Sequence, residues 1–140
     1  MPALKNYNIF ISHTWQYNID YYNLESLLLK APYFNWENFS VPIHDPVIKR
    51  DTYVGKVILT KMLEQQIRPT NCVLILAGMY AHYSDWVLKE IELAQSYKKP
   101  VLGIYPLGSI NIPKVVRENV IDMIGWRTSS IVSAIRKYSI

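Results

Sequence analysis

Two glutamates, a tryptophan and a serine fall together in the segment YSDWVLKEIEL, residues 83–93, as Ser84, Trp86, Glu90 and Glu92. A carboxylate held against apolar surface can exchange a proton with a substrate or stabilise positive charge that develops on it. Helical geometry separates the two glutamates. At about 100° per residue, Val87, Ile91, Ala94 and Lys98 share one face, and Trp86, Glu90, Leu93 and Tyr97 occupy its neighbour. Glu92 lies about 200° round from Glu90, beside Leu88 and Ser96. Glu90 is therefore the carboxylate that a fold can turn toward a site, and Glu92 the solvated one. The plainer alternative makes Glu90 a surface residue paired with Lys89 or Lys98. Ser84 reads most simply as the N-cap of this helix, and Trp86 as a core residue or a stacking surface.

The other chemistry-bearing residues are fewer. His13, His44 and His82 fall in predicted loops, but no two have metal-ligand spacing and no cysteine joins them, so no metal site is expected. Polar pocket residues or ordinary loop hydrogen bonding account for them. Cys72 sits inside an apolar run and reads as a small core residue. As the single cysteine it excludes an internal disulfide.

These residues must be positioned by a chain of 140 residues, half of them hydrophobic and 19% charged, a composition that suits one globular domain over residues 1–140. No apolar run approaches the roughly 18 residues of a membrane span, and MPALKNYNIF lacks the layout of a signal peptide. A cytoplasmic protein without membrane contact is expected. The net charge of +4 is scattered, with Lys49-Arg50, Lys98-Lys99 and Arg136-Lys137 as the local pairs. That pattern does not favour nucleic acid, and it suits a small anionic ligand.

Apolar strands alternate with amphipathic helices along the chain. YNIFI at 7–11 predicts a first strand, and Tyr17, Tyr21, Leu24, Leu28 and Ala31 form the stripe of a helix that Pro32 stops. WENFSV at 36–41 predicts a second strand, followed by the loop VPIHDPVIKRD. Asp51 or Thr52 can cap a helix with apolar positions Val54, Ile58, Leu59, Met62, Leu63 and Ile67. CVLILA at 72–77 reads as a central parallel strand covered on both faces. MYAHY then forms a loop, and Ser84 opens the next helix. VLGIY at 101–105, a short helix near 113–118, VIDMIGW at 120–126 and a helix capped by Thr128, with Ile131, Ile135 and Tyr138 inside, complete five strand–helix units. The expected fold is α/β: a five-stranded parallel sheet with helices on both faces, a flavodoxin-like three-layer sandwich.

In such sheets ligands bind outside the carboxyl ends of the strands. Those ends are Ser12-His13-Thr14, the loop Ser40–Asp51, Gly78-Met79-Tyr80 and Pro106-Leu107-Gly108, which places Glu90 at a possible rim. Three common sites of this architecture are absent. The first loop reads SHTWQYN where a dinucleotide fold needs GxGxxG, no GxxxxGK[ST] phosphate loop occurs, and the third strand ends LILAG without a phosphoacceptor aspartate.

Three segments resemble a known family. FISHTW at 10–15, NFSVPIHDP at 38–46 and YSDWVLKEIELA at 83–94 resemble, in that order, the opening strand, the covering loop and the S-x-W-x-x-x-E helix of TIR-like domains. The likeness is to the stand-alone bacterial kind represented by the TIR subunit of Thoeris anti-phage defence. The resemblance implies an enzyme that cleaves the nicotinamide–ribose bond of NAD, with NAD as substrate and no cofactor. It implies a cyclic ADP-ribose-type product that reaches a separate effector by diffusion, and self-association through TIR surfaces. It makes Glu90 the catalytic carboxylate, Ser84 and Trp86 supporting residues, and Ser12, His13, His44 and Asp45 candidate pocket walls, with Tyr80 or Trp86 offering aromatic surface to nicotinamide. Two other functions remain open at this point: a non-catalytic TIR interaction module, and another N-glycosidic enzyme such as a nucleoside deoxyribosyltransferase-like protein.

Overall fold

The computed structural model describes residues 5–12, 19–40, 53–76, 80–105 and 114–140, with residues 19–21, 80–87 and 115 as backbone only. Five strands, β1 (Asn6–Ile11), β2 (Asn35–Asn38), β3 (Cys72–Leu76), β4 (Val101–Ile104) and β5 (Asp122–Ile124), alternate with helices α1 (Ile19–Leu29), α2 (Tyr53–Ile67), α3 (Tyr80–Ser96), α4 (Lys114–Asn119) and α5 (Thr128–Tyr138). All pairings are parallel, and the sheet order is β2-β1-β3-β4-β5. The order reverses direction between β1 and β3, where Ile9 pairs with Cys72, Phe10 with Val73 and Ile11 with Leu74.

Right-handed crossovers dictate which helices share a face. The step from β1 to β2 runs one way along the sheet and the later steps run the other, so α1 lies opposite α2, α3 and α4. The packing follows. On one side, Ile9, Ile11, Cys72, Leu74, Leu76, Leu102 and Ile104 pack against Leu24 and Leu28 of α1 and Ile131, Val132 and Ile135 of α5. On the other, Phe10, Val73, Ile75 and Val101 pack against Leu59, Leu63 and Ile67 of α2, Ile91 and Ala94 of α3 and Val116 of α4. The strands β3 and β4 are buried along their whole length, as expected for a parallel sheet covered on both faces.

Several boundaries differ from the sequence reading, each for a local reason. The strand β2 is shorter than 36–41 because the amide of Ser40 turns to Asn38 Oδ1 (2.9 Å) instead of the ladder, an Asx turn. The helix α3 begins at Tyr80, so Ser84 lies a turn inside it and is not its N-cap. The MYAHY segment holds no glycine or proline to prevent this. In α5 the N-cap is Arg127, with extended backbone and no side-chain cap, and Thr128 is the first helical residue. Lys98 falls beyond α3. It holds a left-handed φ of 58°, its amide bonding to Gln95 O (3.0 Å) while Lys99 N–H bonds to Ala94 O (2.8 Å), a Schellman end. In α2 the buried positions are Gly55, Leu59, Leu63 and Ile67, whereas Val54 is 65% exposed and Ile58 is also exposed. The proposed caps Asp51 and Thr52 lie outside the described residues.

Candidate active site

The switch point between β1 and β3 is where an open parallel sheet receives its ligand. Ser12 continues β1 by one residue there, its amide donating to Leu74 O at 2.8 Å. Strand alternation then fixes its side chain. Ile9 and Ile11 face α1 and α5, Phe10 faces α2 and α3, and the Ser12 hydroxyl points with Phe10. From the other direction, α3 returns over this same face after β3. Its Ile91 and Ala94 lock it onto the sheet with Phe10 and Ile75, and this fixes the rotation of the helix.

That rotation buries Glu90 completely. The rim position read from the sequence is therefore corrected: the side chain lies under the surface, without an ion pair to Lys89 or Lys98. Glu92, two residues on, is exposed as expected. Neither carboxylate oxygen of Glu90 has a hydrogen-bond partner within the chain, and neither does the buried Ser12 Oγ. Six buried side-chain polar atoms lack partners among the described residues, and three of the six are these. Burial pushes the Glu90 carboxyl up to about 8, because the charged form loses its hydration. The Ser12 hydroxyl pulls weakly the other way, close enough to act on the carboxyl but short of hydrogen-bond geometry.

Burying polar groups unpaired costs free energy, about 1–3 kcal/mol for each neutral one. Such groups call for a reason, and a bound water or ion, stored strain or a functional role supplies it. A neutral carboxyl at the switch point, beside a hydroxyl on a rigid strand, can hydrogen-bond to a polar ligand and can ionise against a nearby positive charge. Among the described residues no group of three histidine, cysteine or acidic side chains could hold a metal ion.

The remaining sequence candidates divide. Tyr80 opens α3, and Ser84 and Trp86 fall in its first two turns, on backbone alone. His13, His44 and Asp45 lie outside the described residues. One constellation was not foreseen. Asn38 donates through Nδ2 to Glu25 of α1 (2.6 Å) and accepts at Oδ1 from both the amide and the hydroxyl of Ser40. Asn38 thereby ties the carboxyl end of β2 to α1, with Ser40 fully buried against it. The spacing Asn-x-Ser was the available signal, since an asparagine side chain readily takes the amide two residues on.

The 2-1-3-4-5 parallel order with helices on both faces defines a flavodoxin-like α/β protein. Within that class, a family model described as Thoeris protein ThsB, TIR-like domain, matches residues 10–110. The chain belongs to this Thoeris ThsB TIR-like family. The match runs from β1 past β4 and contains both Ser12 and Glu90. No curated protein matches the chain. Among the described residues, no helix is long and apolar enough to cross a membrane.

Proposed function

We propose that this Thoeris-family domain consumes NAD, cleaving the bond between nicotinamide and ribose and converting the ADP-ribose moiety into a cyclic signal for a separate effector in anti-phage defence. The observation that carries the reading is the fully buried, unpartnered carboxyl of Glu90 beside Ser12 at the switch point of the sheet. An interaction module gains nothing from such a group, whereas an N-glycosidic enzyme has a use for it.

The chemistry follows from the residue. As the C1′–N bond breaks, its electron pair leaves with the nicotinamide nitrogen and neutralises the ring charge. The leaving group therefore needs no proton, and one carboxylate suffices where ordinary glycosidases use two. With its carboxyl pushed up to about 8 by burial, Glu90 is protonated at neutral pH. The cationic nicotinamide ring, and then the oxocarbenium-like ribose, favour its ionised form, which accepts hydrogen bonds from ribose hydroxyls and stabilises the developing charge. Attack on C1′ by water yields ADP-ribose, and attack by an atom of the same nucleotide, with loss of its proton, yields the cyclic product. Exclusion of water favours the second.

In this reading NAD is the substrate and no cofactor takes part. His13, His44, Asp45, Tyr80, Ser84 and Trp86 contribute walls and support to the pocket. The domain works in the cytoplasm and self-associates through TIR surfaces, and its product carries the message by diffusion. The test is a substrate panel of NAD and nucleosides, with products resolved by chromatography and mass spectrometry. Release of nicotinamide with a product of the mass of cyclic ADP-ribose is expected. Turnover of nucleosides in preference to NAD would instead favour a deoxyribosyltransferase-like enzyme.

A further inference from the structure

Of the six buried side-chain polar atoms without a partner among the described residues, three belong to Glu90 and Ser12, and the Ser12 hydroxyl is near enough to act on the Glu90 carboxyl. The two carboxylate oxygens of Glu90 come from α3, and the Ser12 hydroxyl comes from the end of β1. The core on this side of the sheet is built from apolar side chains. Phe10 comes from β1, Val73 and Ile75 from β3, Leu59 and Leu63 from α2, and Val116 from α4. The charged neighbours on α3 itself, Lys89 and Glu92, lie about 100° and 200° round the helix. The charged groups of the packed helices, Lys56, Lys61 and Glu64 on α2 and Lys114, Arg117 and Glu118 on α4, stand at exposed or half-exposed positions, while the Ser12 hydroxyl acts on the Glu90 carboxyl. The Ser12 backbone is held in register by Leu74 O, so a side-chain torsion of Ser12 or Glu90 is enough to close the pair.

A serine hydroxyl is both donor and acceptor. It can accept from the neutral acid and, after rotation, donate to the carboxylate. We propose that Ser12 is a positioning residue for Glu90, its hydroxyl becoming the hydrogen-bond donor that holds the carboxylate once a cationic ligand has drawn off the proton. The pairing itself stands on the burial of both groups and on the packing of α3 over the face of the sheet where β1 ends. Only its use in turnover rests on the proposed NAD reaction.

The experiment follows the Glu90 side-chain carboxyl carbon by NMR through a pH titration of the ligand-free protein, with the signal assigned by its loss in Glu90→Gln. Ser12→Ala is expected to raise the titration midpoint by about one pH unit, because the ionised form loses its donor. Ser12→Thr, which keeps the hydroxyl, is expected to return the midpoint to within a few tenths of the wild-type value. If threonine does not fit the buried position, the Ser12→Ala change is made again in the Glu90→Gln protein. There it should leave the pH dependence of stability untouched, whereas in the wild-type background it should extend the fall in stability by about one pH unit to higher pH. An unmoved midpoint in Ser12→Ala overturns the proposal.

The pH profile of nicotinamide release from NAD separates this inference from the proposed function. A moved midpoint with no nicotinamide released by the wild type upholds the pairing and refutes the NAD reading. Release by the wild type with an unmoved midpoint refutes the pairing alone.

Discussion

Replacing Glu90 with glutamine should change how the stability of the protein depends on pH, in a direction opposite to ordinary acid denaturation. The carboxyl is pushed from 4.5 up to about 8 by burial, so between these values the native state holds a proton that the unfolded chain has released. Stability falls with rising pH wherever the native state binds more protons, and it does so here from about pH 4.5 until the folded group itself ionises near 8. At 1.36 kcal/mol per pH unit the whole displacement corresponds to about 5 kcal/mol. That is a ceiling, because water drawn toward an ionised carboxylate recovers part of it. Against a total stability of roughly 5–15 kcal/mol the effect is large. Glu90→Gln keeps the shape of the neutral acid and has no proton to lose. Denaturant unfolding of both proteins at intervals from pH 4.5 to 9 gives two curves, whose difference cancels every other titrating group. The variant should match the wild type near pH 4.5 and exceed it by several kcal/mol at pH 9. Parallel curves would refute the reasoning, since they would mean that Glu90 is hydrated or paired in the native protein.

Three further outcomes are expected. Cys72, fully buried with its thiol pushed up to about 12 by desolvation, should not react with alkylating reagents at pH 8 until the protein is unfolded, as a thiol count with and without denaturant will show. Asn38→Ala removes the bonds to Glu25 and Ser40 and should destabilise by about 1–3 kcal/mol, measured as a lowered unfolding midpoint. Lys98→Gly relieves a left-handed residue at the end of α3 and should stabilise by about 1 kcal/mol in denaturant unfolding.

Much of this architecture can be read along the chain because a parallel sheet writes itself as short apolar runs. CVLILA and VLGIY have few other interpretations, and the helical stripes between them leave one fold class. The limits lie where tertiary packing chooses among local options. On α2 the apolar positions spread over a wide arc, and Gly55, Leu59, Leu63 and Ile67, at steps of four, are the ones fully buried. The small residue at 55 was the cue to that register, and bulkier Val54 and Ile58 obscured it. Ser84 suggested a helix start, but nothing in MYAHY opposed an earlier one. For Glu90 the sequence separated it from Glu92 and placed it on the flank of the buried face. Its full burial depends on how α3 rolls onto Phe10 and Ile75, which no spacing within the helix encodes. Ser12 could be placed at the sheet edge from the end of β1, and its meeting with Glu90 required the fold.

The most direct test of the account sets the two glutamates against each other. Wild type, Glu90→Gln and Glu92→Gln are incubated with NAD, alone and in lysate of phage-infected cells, and nicotinamide and nucleotide products are quantified by mass spectrometry. The account predicts that Glu90→Gln loses turnover by a factor of about 100 or more, while Glu92→Gln, altered only at an exposed position, retains it. Equal turnover by wild type and Glu90→Gln, or no turnover of NAD by any of the three in either setting, would contradict it.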